Sequence, residues 1–195
     1  MTALSALDSI HKKGLFGDHH KKNEKHILEI SEIKESIIVQ IVQYKRSKIN
    51  IKDIKIGDLN FPKENSSVKS GEDIRILWNA PRTWLIISSR ENIIQLIKSN
   101  CKDTDFAITD ISHSRAVIKI KGIQAKEVLK KGSPINFNDL DVNKCVGTVF
   151  HGISIVVNLV SSDPDTFIIL TLRSFGETFY HHVTDASLEF GYVGV

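Results

Sequence analysis

The apolar residues of this chain come in short, β-branched runs separated by turn-forming residues. Isoleucine pairs at 37–38, 86–87 and 168–169 lie within such runs, and segments rich in glycine, proline or serine interrupt them. Apolar runs of about four to eight residues are typical of buried strands, and they are shorter than the roughly 18 residues of a membrane-spanning helix. The pattern therefore predicts a fold with many short strands.

Three helices are predicted among these strands, and the last has the clearest signal. Ser174 and Glu177 form a Ser-x-x-Glu capping box, and Phe175, Phe179 and Val183 fall on one helical stripe. Because strands and helices alternate irregularly, we expect an α+β fold with mixed or antiparallel strands rather than a βαβ repeat. The predicted strands are residues 36–44, 49–56, 73–78, 83–88, 106–111, 115–121, 146–151, 153–160 and 166–172, and the predicted helices are 90–99, 123–131 and 174–190.

Composition and motifs narrow the class of function. The 26 basic and 23 acidic residues are too evenly balanced for a dedicated nucleic-acid binder, and neither a dinucleotide-binding glycine motif nor a phosphate loop occurs. Cys101 and Cys145 are too few for a disulfide framework, and the first 15 residues lack an apolar signal-peptide core. We therefore expect a cytoplasmic protein that binds neither nucleic acid nor membrane.

Residues 1–26 form a basic amino-terminal arm. It is rich in histidine and lysine and contains few large apolar side chains. Such a segment is expected to be mobile or to lie on a partner's surface, with RNA binding as the weakest alternative. A metal site is disfavoured, because His19-His20 and His181-His182 are adjacent residues without ligand spacing. Residues 27–195 are predicted to form one domain, which a boundary near residue 102 would divide into two subdomains.

Two clusters are candidates for a functional role. Asp110, His113 and Arg115 could hold an anion or move a proton, but a structural turn is the favoured interpretation of this segment. Trp78 and Trp84 flank Pro81 in a predicted hairpin, where they suit either the core or an interface. No catalytic, cofactor-binding or metal-binding residue is assigned.

These segments, taken together, resemble the gamma subunit family of heterotetrameric sarcosine oxidase. Residues 76–87 resemble its Leu-Trp-x-Gly-Pro-x-x-Trp-Leu signature, except that Asn79-Ala80 replaces the usual pair ending in glycine. Residues 109–132 resemble its Asp-x-Ser-x-x-Arg and Gly-x-x-Ala-x-x-x-Leu pattern, and residues 173–176 its Arg-Ser-Phe-Ala motif. The resemblance covers residues 73–191, and the order and spacing of the motifs make it more specific than any one of them.

The resemblance implies a fold like the folate-binding domain of the glycine-cleavage aminomethyltransferase. It also implies a non-catalytic accessory subunit of an oxidoreductase that converts sarcosine to glycine, hydrogen peroxide and 5,10-methylenetetrahydrofolate, in one-carbon metabolism. FAD, FMN, NAD and tetrahydrofolate are then expected in the assembled complex and none in this chain, with alpha, beta and delta subunits as partners. The predicted interface residues are Trp78, Pro81, Trp84, His113 and Arg115.

The alternative is a stand-alone folate-dependent protein similar to the aminomethyltransferase. In that enzyme a catalytic aspartate follows the second predicted helix in an Asn-Asp turn, and helix register places Ile135-Asn136 at this position. Asn136 cannot ionise at neutral pH, and Asp139 is out of register. We therefore expect no active site in this chain, although its status as an enzyme stays open.

Overall fold

A computed structural model describes residues 5–20, 26–70 and 73–195 of the chain. The α-helices are α1 (Ile93–Asn100), α2 (Ala125–Lys130) and α3 (Gly176–Ser187). The strands are β1 (Gly14–Phe16), β2 (Leu28–Glu32), β3 (Ile37–Gln43), β4 (Lys55–Ile56), β5 (Leu59–Asn60), β6 (Ser67–Ser70), β7 (Ile74–Ala80), β8 (Thr83–Ser88), β9 (Phe106–Asp110), β10 (Arg115–Lys121), β11 (Cys145–Phe150), β12 (Ile153–Ser162), β13 (Asp165–Leu172) and β14 (Tyr192–Gly194). No helix in these ranges is long and apolar enough to cross a membrane.

The described residues divide into two compact units, and the fold class is α+β as predicted. The first unit comprises the described residues up to Lys34 together with His113–Val195, and the second is Glu35–Ser112. A packing unit is defined by contacts, whereas a domain is defined by its ability to fold alone. The predicted domain limits at residue 26 and near residue 102 therefore stay predictions.

The first unit is built on a seven-stranded sheet whose order is β1-β14-β2-β10-β13-β12-β11. Its neighbouring strands are antiparallel, except for the parallel pair of β14 and β2. Side chains alternate across a strand. In β10 this alternation buries Ile118 and Ile120 in the same core as the α3 residues Phe179 and Val183. The strand that the sequence predicts at residues 115–121 is thus confirmed, and its buried face carries Ile118 and Ile120.

The described part of the predicted arm, residues 5–20, packs on the first unit. Leu7 is fully buried in the core, and β1 pairs with β14 along the sheet edge. The Ala6 amide donates to Glu32 Oε1 at 3.0 Å, and the His11 ring lies 2.7 Å from the Tyr180 hydroxyl. The sequence predicts that this segment is mobile or lies on a partner's surface. Residues 5–20 pack on their own chain instead, because apolar side chains such as Leu7 reach the core.

The second unit is a five-stranded antiparallel sheet of order β6-β7-β8-β3-β9, with β4 and β5 forming a separate two-stranded sheet. Ile76 and Ile86 of the sheet share a core with Ile93 and Ile97 of α1. The hairpin of β7 and β8 is confirmed, and it places Trp78 directly opposite Trp84. This unit therefore positions both tryptophans.

Three local predictions differ from the structure. The expected strand at 49–56 begins as a 3-10 turn at Ile51–Asp53, because the Asn50 side chain accepts a hydrogen bond from the Lys52 amide at 3.2 Å. Helix α1 begins after Asn92 rather than after Ser89. The predicted capping box at Ser174 lies in a 3-10 turn, and α3 starts at Gly176 without a side-chain cap.

Candidate functional site

The polar segment after β9 forms a structural turn. Asp110 Oδ1 accepts hydrogen bonds from the Ser112 amide at 2.9 Å and from the Ser112 hydroxyl at 2.5 Å. The same hydroxyl oxygen accepts from the Ile38 amide at 2.9 Å, which ties the end of β9 to the start of β3. The turn interpretation is thus confirmed for Asp110 and Ser112, whose polar atoms hold the backbone.

Arg115 begins β10 on the face of the first sheet opposite to that of Ile118 and Ile120. Its Nε atom is buried, and the described residues offer it no hydrogen-bond partner. Burial also lowers the pKa of the Arg115 guanidinium. A buried donor without a partner costs free energy that a suitable acceptor restores. The Arg115 guanidinium therefore contains one donor that no described residue satisfies.

A row of four side chains runs across four strands, from the half-buried Arg115 to the exposed Val149. Arg115 is paired with Leu172 of β13, and Val149 of β11 is paired with Ser154 of β12. The register between β12 and β13 places Ser154 beside Leu172, so all four side chains share one face. Leu172 and Val149 are each 39% exposed. We call Arg115, Leu172, Ser154 and Val149 the open stripe.

The two tryptophans differ in burial. Trp84 is 5% exposed, packs edge-to-face on Phe61 with ring centroids 5.0 Å apart, and donates its indole N–H to the Pro62 carbonyl at 3.2 Å. This contact set supports the core alternative for Trp84. Trp78 is half-buried against the same core, and Pro81 is exposed at the hairpin turn. Only Trp78 and Pro81 of the hairpin candidates thus offer surface.

The hairpin turn contains the departure from the family signature. The register of β7 and β8 shifts between Trp78 and Ala80, which places Asn79 in a β-bulge. Arg82 follows Pro81 with a φ of 59°, and its guanidinium donates to the Tyr44 carbonyl at 3.0 Å. The turn is therefore closed by a bulge and an arginine contact rather than by glycine. His113, the remaining predicted interface residue, is exposed.

Asn136, at the position that the aminomethyltransferase comparison singles out, forms a turn. Its Oδ1 accepts from the Asn138 amide at 3.1 Å, and its Nδ2 donates to Asp139 Oδ2 at 2.7 Å. Both ends of the amide are thus occupied in capping a 3-10 turn at Phe137–Asp139. Asn136 supplies no carboxylate that could act as a base on a folate.

Thiol or metal chemistry has little support in the described residues. Cys101 and Cys145 are buried, and burial raises the pKa of the Cys101 thiol to about 11, so it stays protonated at neutral pH. Among the residues that the structure covers, no group of three or more histidine, cysteine or acidic residues could hold a metal ion. His181 lies 3.9 Å from Glu177 while His182 stacks near His151, so the adjacent pair diverges.

The first unit also contains a cavity of about 480 Å³ that the sequence analysis did not assign. It is lined by Ile123, Pro164 and the ion pair of Lys121 Nζ with Glu29 Oε2 at 3.2 Å. Gly122 also lines it, with a φ of +143° and with Leu28 Cδ2 2.9 Å from where a Cβ would lie. The spacing of residues in a local motif could not reveal this cavity, because its walls come from separate parts of the chain.

Comparison with known proteins supports the resemblance seen in the sequence. The structure is similar to heterotetrameric sarcosine oxidase from Corynebacterium sp. U-96 in complex with pyrrole 2-carboxylate, with a TM-score of 0.74 and 18% identity over 86% of this chain and 87% of that chain. It is also similar to the glycine cleavage system aminomethyltransferase T from Bartonella henselae, with a TM-score of 0.60 and 13% identity over 88% of this chain and 50% of that chain. Both similarities establish the fold.

The family assignment comes from the sequence. No curated protein sequence matches the chain. A family model described as the sarcosine oxidase, gamma subunit family, matches residues 53–189, which include the hairpin, the turn after β9 and the whole of α3. The chain therefore belongs to the sarcosine oxidase gamma subunit family.

Proposed function

We propose that this chain is a non-catalytic accessory subunit of a heterotetrameric sarcosine oxidase. The assembly would oxidatively demethylate sarcosine to glycine, reduce oxygen to hydrogen peroxide and pass the one-carbon unit to tetrahydrofolate. The observation that carries the proposal is membership of the gamma subunit family over residues 53–189. The role assigned to this chain is to stabilise the assembly by binding its partners.

The geometry of Asn136 supports a role without catalysis. A general base must present an atom that can accept a proton near neutral pH. Asn136 presents an amide, and both ends of that amide are bound within its own turn. Tetrahydrofolate would therefore find no carboxylate at this position.

The open stripe supports a role in assembly. Interfaces combine exposed apolar side chains with a few polar groups that are satisfied only in the complex. Leu172 and Val149 supply the apolar surface, and the buried Arg115 Nε supplies an unsatisfied donor. The proposed partner contacts are Trp78, Pro81, His113 and Arg115. Trp84 supports the hairpin from within the core.

The proposal assigns the cofactors to other chains. FAD, FMN and NAD would be held by the larger subunits, and alpha, beta and delta subunits would be the partners. Family membership does not specify which amine the assembly oxidises. We propose sarcosine as its substrate. Cytoplasmic localisation follows from the same proposal.

Co-expression with the alpha, beta and delta subunits from the same genome tests this function. Affinity purification through a tag on this chain should recover the three partners and sarcosine-dependent formation of hydrogen peroxide. Replacing Arg115 by Met, which keeps the apolar stem and removes the donor, should weaken the association, whereas Lys130→Met on the exposed side of α2 should not. A wild-type chain that recovers no partner would overturn the proposal.

A stand-alone folate-dependent protein is the second candidate, and its support is the similarity to the aminomethyltransferase fold. A calorimetric titration of the isolated chain with tetrahydrofolate, together with an activity assay, distinguishes the accessory role from the stand-alone enzyme. The accessory role predicts no binding and no turnover of an aminomethyl donor, whereas saturable binding with turnover would favour the enzyme.

A further inference from the structure

Strand β11 is an edge of the seven-stranded sheet. It pairs with β12 on one side, and no described strand pairs with its other side. Gly147 in its middle is exposed, and no atom lies within 4 Å of the position that a Cβ would take there. The sheet face beside Gly147 is therefore uncovered, and the outer edge of β11 has no described strand along it.

The hydrogen-bond phase shows which backbone groups face outward. The Leu159 amide donates to the Lys144 carbonyl at 3.1 Å, which makes residues 144 and 159 a hydrogen-bonded pair. In an antiparallel ladder such pairs recur every second residue, so Thr148 points its N–H and C=O toward β12. Gly147 and Val149 then point theirs away from the sheet. These two residues present donors and acceptors at the spacing of a β ladder, about 7 Å apart.

This edge lacks the features that protect edge strands from pairing. Such strands are usually very short or carry charged side chains or proline. The opposite edge strand, β1, has only three residues, and the edge strands of the second unit, β6 and β9, carry Lys69 and Asp110. By contrast, β11 has six residues, none of them charged and none a proline.

The open stripe favours a different chain over a second copy as the occupant. The stripe ends at Val149, so a strand added beside β11 extends the face that also carries Leu172 and Arg115. Self-pairing of β11 would leave Arg115 uncovered, because β10 lies three strand spacings away, about 14 Å. A larger partner can pair with the edge and also reach the arginine.

We propose that the outer edge of β11 binds an extended segment of another subunit, which adds to the sheet as an eighth strand. This inference rests on the proposed accessory function. The segment would be uncharged and rich in aliphatic side chains, with one of them beside Val149. Backbone hydrogen bonds to Gly147 and Val149 would provide the affinity, and the side chains of the stripe the selectivity.

Amide hydrogen exchange at single-residue resolution tests the pairing directly. The isolated chain is compared with the complex formed with the alpha, beta and delta subunits. The Gly147 and Val149 amides should exchange rapidly in the isolated chain and slow by about tenfold or more in the complex. The Thr148 amide should be protected in both. Fast exchange of Gly147 and Val149 in the intact complex would overturn the inference.

Two edge variants and one control test its contribution to affinity. Gly147→Pro removes an outward N–H without touching the ladder to β12, and Val149→Lys places a charge on the edge. Each should weaken assembly by at least about tenfold, Gly147→Pro because its ring also occupies the space of the lost N–H, and Val149→Lys because its charge would be buried beside an uncharged strand. Val142→Lys is the matched control, since Val142 is 40% exposed and lies outside the strand. It should assemble normally.

The other outcomes also decide the question. Edge variants that fold and assemble as well as the wild type overturn the inference and leave the proposed function intact. A wild-type chain that dimerises alone, and becomes monomeric as Gly147→Pro, assigns the edge to a second copy and overturns it too. Failure of the wild-type chain to assemble with any partner overturns the proposed function, and this inference with it.

Discussion

Replacing Leu7 by Ala tests whether the amino-terminal segment belongs to the folded unit. Leu7 is fully buried in the core of the first unit. The segment is also held by the Ala6 amide on Glu32 and by the His11 ring, whose Nε2 lies 2.9 Å from the Val195 carbonyl oxygen. Truncating Leu7 therefore removes a side chain that has packed neighbours on all sides.

The expected loss follows from the burial. Removing three carbon atoms of a fully buried leucine costs the lost transfer free energy and that of the cavity left behind, together about 3 kcal/mol. For a chain of this size that corresponds to a decrease in Tm of roughly 6 to 12 °C. Leu15 is the matched control, because it lies in the same segment and is 52% exposed. Leu15→Ala should change the free energy of unfolding by less than about 0.5 kcal/mol.

Urea unfolding followed by far-UV circular dichroism measures both variants against the wild type. Tryptophan fluorescence is less informative here, because Trp78 and Trp84 both lie in the second unit. The reasoning would be refuted if Leu7→Ala and Leu15→Ala gave the same free energy of unfolding. That result would mean that residues 5–20 contribute no more than a loosely attached arm.

Three further measurements follow from individual contacts. Gly132→Ala should destabilise the chain by about 1–3 kcal/mol, because the added Cβ would lie 2.8 Å from the Phe150 ring; Gly147→Ala, which meets no atom, is the control in the same thermal melt. Burial raises the pKa of Cys101 to about 11, so the folded state favours the protonated thiol, and the stability that this thiol contributes is lost as pH rises from about 9 to 11. Urea titrations of the wild type should show a larger loss than those of Cys101→Ala, in which Tyr180, whose pKa burial raises to about 12, still titrates. Trp84→Phe should cost about 1–3 kcal/mol in urea unfolding because a buried carbonyl loses its donor, and an unchanged midpoint would contradict that assignment.

The alternation within single strands could be predicted from the sequence. Ile118 and Ile120 alternate with Lys119 and Lys121, and the structure buries the first pair while the second pair reaches Glu29. The hairpin that carries Trp78 could be predicted for a similar reason, since a short turn fixes which residues are opposed. Both signals are local in sequence, so no knowledge of distant segments was needed.

Pairings between distant segments could not be predicted in this way. Tyr192 is aligned with Leu28 in a parallel pair, and neither three-residue β14 nor β1 has enough length for a periodic signal. The candidate surface has the same limitation. Arginine at position 115 is visible in the sequence, but its unpartnered Nε depends on how the sheet buries it. The outward-facing amides of Gly147 and Val149 likewise depend on ladder phase, which no residue type encodes.

The ends of the second unit lie next to each other. The Ile38 amide donates to the Ser112 hydroxyl at 2.9 Å, near the first and last residues of that unit. In the first unit, the Ile33 amide donates to the Val117 carbonyl at 2.8 Å. Both residues lie near the point where the second unit interrupts the sequence of the first, between Lys34 and His113. Residues 35–112 thus have the geometry of an inserted segment whose two ends are adjacent. A deletion of this segment would need only a short linker between residues 34 and 113 to keep the remaining chain continuous.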